Sequence, residues 1–252
     1  MNPLLKVGRF FVAIPLFVFA IQYLAIGKYQ GGLPPMPPWA QGASFGAYLV
    51  GLLLLATAAA IPLSKQARLL SLITGGWFVF CFFVFHLQHA SSVWSNGNDR
   101  TRALEALCIG VGLLALGALS PAEGFGAMSA DGNRKLILAS RIVFGLSMVI
   151  FGWQHFMYAA FLVNLVQKWL PAHAFWIYFT GTAMMAAGAA IATGILARIA
   201  GICLGIMFVL FFLTLHLPRV LAAAHNQDET TSMFVALAFG GISLIFAASA
   251  EK

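Results

Sequence analysis

The chain has 252 residues, of which 61% are hydrophobic and only 8% charged, and its formal net charge is +7. A soluble domain carries about 25% charged residues, and a chain this apolar lacks the polar side chains to cover a water-facing surface. The composition therefore excludes a soluble enzyme or binding module. The basic residues sit in short loops, where they set membrane orientation rather than bind nucleic acid.

A helix needs roughly 20 apolar residues to cross the hydrocarbon core, and eight such runs follow one another. They cover about 8–27, 43–63, 69–89, 102–120, 136–163, 174–196, 198–217 and 231–249. All are long and unbroken, without the alternation of a transmembrane strand, so the expected fold is all-α, with eight transmembrane helices. The first run follows Lys6 and Arg9 and has the outline of a signal peptide. It has a full-length counterpart at 136–163 and is expected to remain as a span. It carries Pro15 and ends near Gln22 and Tyr23, before a loop with Pro34, Pro35, Pro37, Pro38 and Trp39. Proline stiffens that loop and tryptophan favours the interface, so it reads as a cap at headgroup level or a docking surface.

The third run carries Cys81 and ends on His86 and His89, which lie i,i+3 on one helical face. The fourth holds Cys108 and is preceded by Asn98 and Asp99, read as an N-cap and a first-turn acid. Glu105 is placed in its first turn, where a carboxylate suits the positive helix end. Residues 121–135, with Pro121, Gly124, Gly126 and Gly132, form a connector. The fifth run contains Arg141, Gln154 and His155 and leads to a loop with Trp169, Pro171 and His173. The seventh holds Cys203 and ends at His216; His225, Asp228 and Glu229 precede the eighth. No pair of cysteines has C-x-x-C spacing, which argues against a thiol relay.

The two halves of the chain repeat. Arg9, Phe19 and Gln22 match Arg141, Phe151 and Gln154 at an offset of 132 residues. After a two-residue slip, Trp39, Phe45, Tyr48, Gly51, Arg68, Gly75, His86, Thr101 and Gly110 match Trp169, Phe175, Tyr178, Gly181, Arg198, Gly205, His216, Thr231 and Gly240 at an offset of 130. Matches of Arg, Gln, Trp and His in register are not cheap in an apolar sequence. The halves are 1–120 and 136–252, each a four-helix unit with an even number of spans. They are thus parallel repeats about an axis along the membrane normal, giving two four-helix bundles. The matched glycines are read as helix-packing positions.

With the N-terminus placed in the cytoplasm, nine basic residues fall inside and five outside, which favours an inner-membrane protein with both termini cytoplasmic. All six histidines then lie on the outer side or in the outer part of a span. Gln22, Gln154, His86, His155 and His216 fall at one depth, and polar groups inside a membrane mark candidate sites. Three chemistries suit this layer: a quinone site bonded by imidazole and amide groups, a haem or metal site using the symmetry mates His86 and His216, and a proton path. Against them stands the plain reading that a span-end histidine meets the headgroups, or that His155 bonds Gln22 or Tyr23 structurally. Metal or haem needs more convergent ligands than the sequence offers. Arg9 and Arg141 either snorkel to anionic headgroups or anchor helix-end carbonyls; with Trp39 and Trp169 they are the candidate structural and lipid contacts.

In the second half, Ser140-Arg141-Ile142-Val143-Phe144-Gly145 leads to Phe151-Gly152-Trp153-Gln154-His155-Phe156, then Trp169-Leu170-Pro171, Tyr178-Phe179-Thr180-Gly181, Arg198 and His216. This series resembles the DoxX-like membrane proteins, four-helix units with an early arginine and a glycine-containing first helix. The resemblance covers about 140–248 and extends to the first half through the repeat, where Pro15 and Tyr23 stand in place of Ser147 and His155. It implies a membrane subunit associated with redox enzymes; the family takes its name from a component of a thiosulfate:quinone oxidoreductase. No catalytic motif carries over residue by residue, and a tandem pair of units departs from the common single one. The expectation is an accessory membrane subunit of an electron-transfer assembly that contacts quinone and other subunits within the bilayer. A small-molecule carrier and a purely structural scaffold are the alternatives, and no catalytic residue is assigned.

Overall fold

The computed structural model describes residues 2–28, 44–63, 66–121, 127–223 and 226–250, the side chains of 89–92 excepted. The described residues contain no strand, and eight of their helices are long and apolar enough to cross a membrane. We label these α1 (Pro3–Ile26), α2 (Ser44–Leu63), α3 (Ala67–His86), α4 (Gly97–Leu119), α5 (Ala130–Met157), α6 (His173–Thr193), α7 (Ala197–Ala222) and α8 (Gln227–Ser249). The expected all-α membrane fold of eight spans is what the structure shows.

Several boundaries differ from the sequence expectation. Helix α5 begins inside the expected 121–135 connector, because Ser129 caps it by accepting from the Gly132 amide and Asp131 pairs with Arg134 and Lys135 one turn on. Helix α4 begins at Gly97, capped by Asn96 rather than Asn98. Asn226 does the same for α8, again at an offset of 130.

The helices close a ring in chain order, from α1 round to α8 and back to α1, and α4 and α8 also touch each other across it. The pattern has two-fold pseudosymmetry. The α1–α2 contact matches α5–α6, α3–α4 matches α7–α8, and α1–α8 matches α5–α4. Each repeat therefore packs its first helix on the last helix of the other, and the two four-helix units share one hydrophobic core. Helices α4 and α8 have three neighbours each, and their spans are 72% and 83% buried, against 22–44% for the other six.

Because lipid is as apolar as a leucine side chain, close packing must hold membrane helices together. Gly75 meets Gly110 between α3 and α4, as Gly205 meets Gly240 between α7 and α8. Between α5 and α6 the contacts are tighter: a Cβ on Gly152 would lie 2.4 Å from the Gly181 carbonyl oxygen, and one on Gly145 would lie 2.5 Å from that of Gly188.

Helices α3 and α7 share a second feature. Each contains one turn of π-helix, Phe82–His86 and Phe212–His216, closed by i→i+5 bonds from the Leu87 and Leu217 amides to Phe82 and Phe212. The turns are again 130 residues apart and end on the matched histidines. A π-turn inserts one residue into the helix and turns everything after it onto another face.

The arginines divide. Arg68 is 1% exposed and donates to the carbonyls of Gly117 and Ser120 and to Oδ1 of Asn133, tying the end of α4 to the start of α5. Its repeat mate Arg198 is exposed. Arg9 donates to the carbonyl of Ile61 in the last turn of α2. That is the anchoring arrangement, with the side chain reaching a helix end rather than only the headgroups. Arg141 lies against Gly194, the left-handed C-cap of α6.

Candidate functional site

A cavity of about 640 Å³ lies between α5, α6, α7 and α8 of the second repeat and α4 of the first, which supplies Thr101 and Glu105 to its wall. It runs from Asn96 and Asp228, at the N-terminal ends of α4 and α8, inward to Phe239. Phe239 is twelve residues into α8, or about 18 Å at 1.5 Å per residue. The inner wall is apolar and aromatic. Phe208 and Phe151 both stack edge-on against Phe239, at centroid distances of 5.3 and 5.8 Å, with Met184 completing the lining.

The polar groups come from four helices. Gln154 and His155 lie in the last turn of α5, where the helix stops at Met157. Nδ1 of His155 bonds the Phe151 carbonyl at 2.8 Å. A carbonyl only accepts, so Nδ1 carries the proton and Nε2 is left as an acceptor. In the structural alternative Gln22 or Tyr23 is the partner of His155; the structure gives it the Phe151 carbonyl of its own helix instead. His216 is delivered to the cavity by the π-turn of α7, and its Nδ1 is buried with no hydrogen-bond partner among the described residues.

Glu105 was expected in the first turn of its span. It stands instead two turns inside α4, because that helix starts at Gly97, and it lines the cavity with no hydrogen-bond partner among the described residues. A bidentate ion pair stands nearby. Arg219 donates through Nε and Nη2 to the two carboxylate oxygens of Glu229, at 2.8 and 2.5 Å, joining α7 to the first turn of α8. Two faces in contact through such a fork are held in one register.

Behind Gln154 lies a residue that sequence reasoning counted only as an outer positive charge. Arg100 is 5% exposed. Its Nε donates to Oε1 of Gln154 at 2.6 Å, its other nitrogens donate to the Trp94 carbonyl and the Tyr158 hydroxyl at 3.0 Å each, and its guanidinium lies 5.8 Å from the rings of Trp153 and Tyr158. Gln154 passes the order on, donating from Nε2 to the Thr101 hydroxyl at 2.9 Å. Arg100 thus fixes which way the Gln154 amide points. No repeat signal marks it, since position 230 is threonine.

The expected polar layer is therefore divided. Gln154, His155 and His216 line one cavity, together with Glu105. Gln22 and His86 do not. Gln22 faces α8, donating to the Gln227 carbonyl and accepting from Thr231, both at 3.3 Å. His86 is buried at the end of the first π-turn, in the other repeat. His173 is the first residue of α6 rather than a loop residue. Trp169 is 67% exposed; Trp39 and His225 lie outside the described residues, as does the side chain of His89. Among the described residues no group of three or more His, Cys, Asp or Glu side chains converges as metal ligands would.

A family model described as "Domain of unknown function (DUF8561)" matches residues 144–249, which are most of the second repeat and most of the cavity wall. No curated protein and no solved structure matches the chain.

Proposed function

We propose that the chain is an accessory membrane subunit of an electron-transfer assembly, and that its second repeat binds a small amphipathic molecule of the quinone class. The observation that carries this reading is the cavity: its volume falls within the 300–1,000 Å³ of typical ligand sites. It joins an aromatic interior, where a substituted ring stacks, to a polar end where the Thr101, Tyr158 and Ser232 hydroxyls can donate to ring oxygens and Nε2 of His155 can accept from ring hydroxyls. The DoxX-like series at 140–248 supports the same reading, since it implies a redox partner for a subunit that has no nucleotide or flavin motif of its own. The charge count supports an orientation with both termini on the cytoplasmic side of a bacterial-type inner membrane.

The test is purification from native membranes in a mild detergent, with mass spectrometry of both proteins and extracted lipids. The reading expects quinone at near one per chain and redox subunits in constant ratio. A protein that purifies alone, with quinone no higher than in the bulk lipid, would shift the assignment to a carrier, which uptake in proteoliposomes would then detect.

A further inference from the structure

We infer that the second repeat carries a binding site for the phosphate of an anionic phospholipid, at the turn between α6 and α7, with the Arg141 guanidinium as its anchor.

The site stands out against its own repeat mate. Arg9 matches Arg141 and donates to the carbonyl of Ile61 in the last turn of α2. The equivalent carbonyl, at an offset of 130, is that of Ile191 in the last turn of α6. Arg141 does not bond it. Its guanidinium lies further along, against the turn: a Cβ on Gly194 would stand 3.1 Å from Nη2 and 3.3 Å from Nη1. Gly194 has a φ of +87° and no side chain, so the turn and the guanidinium both fit there. Nε of Arg141 is buried with no hydrogen-bond partner among the described residues. Asp131 is the one described acid at the end of the bundle where α5 and α7 begin, and it is already paired with Arg134 and Lys135.

A polar group inside a bilayer is expensive until it is paired. The partner that suits Arg141 is an anion from outside the chain, and the planar guanidinium fork matches a phosphate through two parallel hydrogen bonds. Arg198, exposed in the first turn of α7, adds a second positive charge just after the turn. The surroundings favour the phosphate of a lipid over free phosphate. Leu138, one turn before Arg141, and Ile195 and Leu196 in the turn itself are all exposed apolar side chains. Acyl chains cover such a surface and inorganic phosphate does not. Basic pockets between membrane helices hold anionic headgroups in this way.

The experiment titrates the purified full-length protein, in a mild detergent, with phosphatidylglycerol and separately with phosphatidylcholine. Native mass spectrometry counts the bound lipid, with and without excess inorganic phosphate. The expected result is that the first phosphatidylglycerol binds at least about fivefold tighter than phosphatidylcholine, the effect of one basic residue near an anionic surface, and that inorganic phosphate does not displace it. R141Q should lose most of this preference. R134Q, which removes the same charge from the same end, should keep it. R141K keeps the charge without the fork, guards against a folding failure in R141Q, and should fall between R141Q and the wild type. Equal binding of the two lipids by the wild type would overturn the inference, as would equal losses in R141Q and R134Q. Displacement by inorganic phosphate would overturn the lipid as the source of the anion. A folded R141Q that is less stable yet keeps the lipid preference would show that Arg141 serves only the end of α6. If R141Q does not accumulate, an R141K protein with the wild-type preference would overturn the role of the fork.

Discussion

Gln154 on α5 donates a hydrogen bond to Thr101 on α4, and with the bond it accepts from Arg100 this links the first helix of one repeat to the last helix of the other. Gln22 and Thr231 make the pseudo-equivalent contact between α1 and α8. The two bonds are not equal. Gln154 is 6% exposed and also holds Nε of Arg100, whereas the bonds of Gln22 are long, at 3.3 Å. Removing Gln154 leaves a buried guanidinium short of an acceptor. We expect Gln154→Ala to lower stability by about 2 kcal/mol, in the range for a hydrogen bond to a charged group, and Gln22→Ala by under about 1 kcal/mol. Thermal unfolding in detergent, followed by tryptophan fluorescence, measures both.

The matched arginines Arg68 and Arg198 provide a second internal control. Arg68 is buried on three acceptors that tie α4 to α5. Arg68→Ala should cost at least about 2 kcal/mol and expose the α4–α5 link to limited proteolysis. Arg198→Ala, at an exposed position, should stay within about 0.5 kcal/mol. Equal effects would mean that the burial of Arg68 contributes nothing.

Glycine substitutions should split by sign. Gly188→Ala would place a Cβ 2.5 Å from the Gly145 carbonyl oxygen, so α5 and α6 must separate, and the protein should be destabilised or fail to accumulate in the membrane. At Gly76 nothing lies within 4 Å of the added Cβ. Gly76→Ala should raise stability by about 0.5–1 kcal/mol through the lower conformational freedom of alanine. The same unfolding assay reads both.

The Arg219–Glu229 fork is partly exposed, with side chains 33% and 20% accessible. Solvent screening reduces what such a pair contributes. A double-mutant cycle with Arg219→Gln and Glu229→Gln should give a coupling energy of about 1 kcal/mol. A coupling near zero would show that α7 and α8 keep their register by packing alone.

Much of the fold is legible in the sequence, since the apolar runs are long and the repeat carries polar residues in register. The helix ends are less so. Lys135, Arg134 and Asp131 read as connector, yet their i,i+3 and i,i+4 pairs let α5 begin at Ala130. The same shift at α4 moved Glu105 from the helix end to the cavity wall. Of the layer expected at one depth, Gln154, His155 and His216 line one cavity while Gln22 and His86 do not. Depth along a helix follows from composition. Azimuth does not. A π-turn inserts a residue without any signal in the apolar pattern, so neither the turn at Phe212–His216 nor its twin at Phe82–His86 could be read. Arg100 escaped because a basic residue beside a span end looks like an orientation signal until Gln154, Tyr158 and Trp153 are seen around it.

The central claim is that this cavity holds a quinone-class ring, and photo-cross-linking tests it most directly. Full-length protein in nanodiscs is irradiated with an azido-ubiquinone, digested and mapped by mass spectrometry. The account predicts labelling concentrated on the cavity wall, at peptides carrying Phe151, Tyr158, Phe208 and Phe239, and suppressed by excess unlabelled quinol. Label spread over lipid-facing residues such as Phe17, Phe80 and Leu210, with no competition, would contradict it.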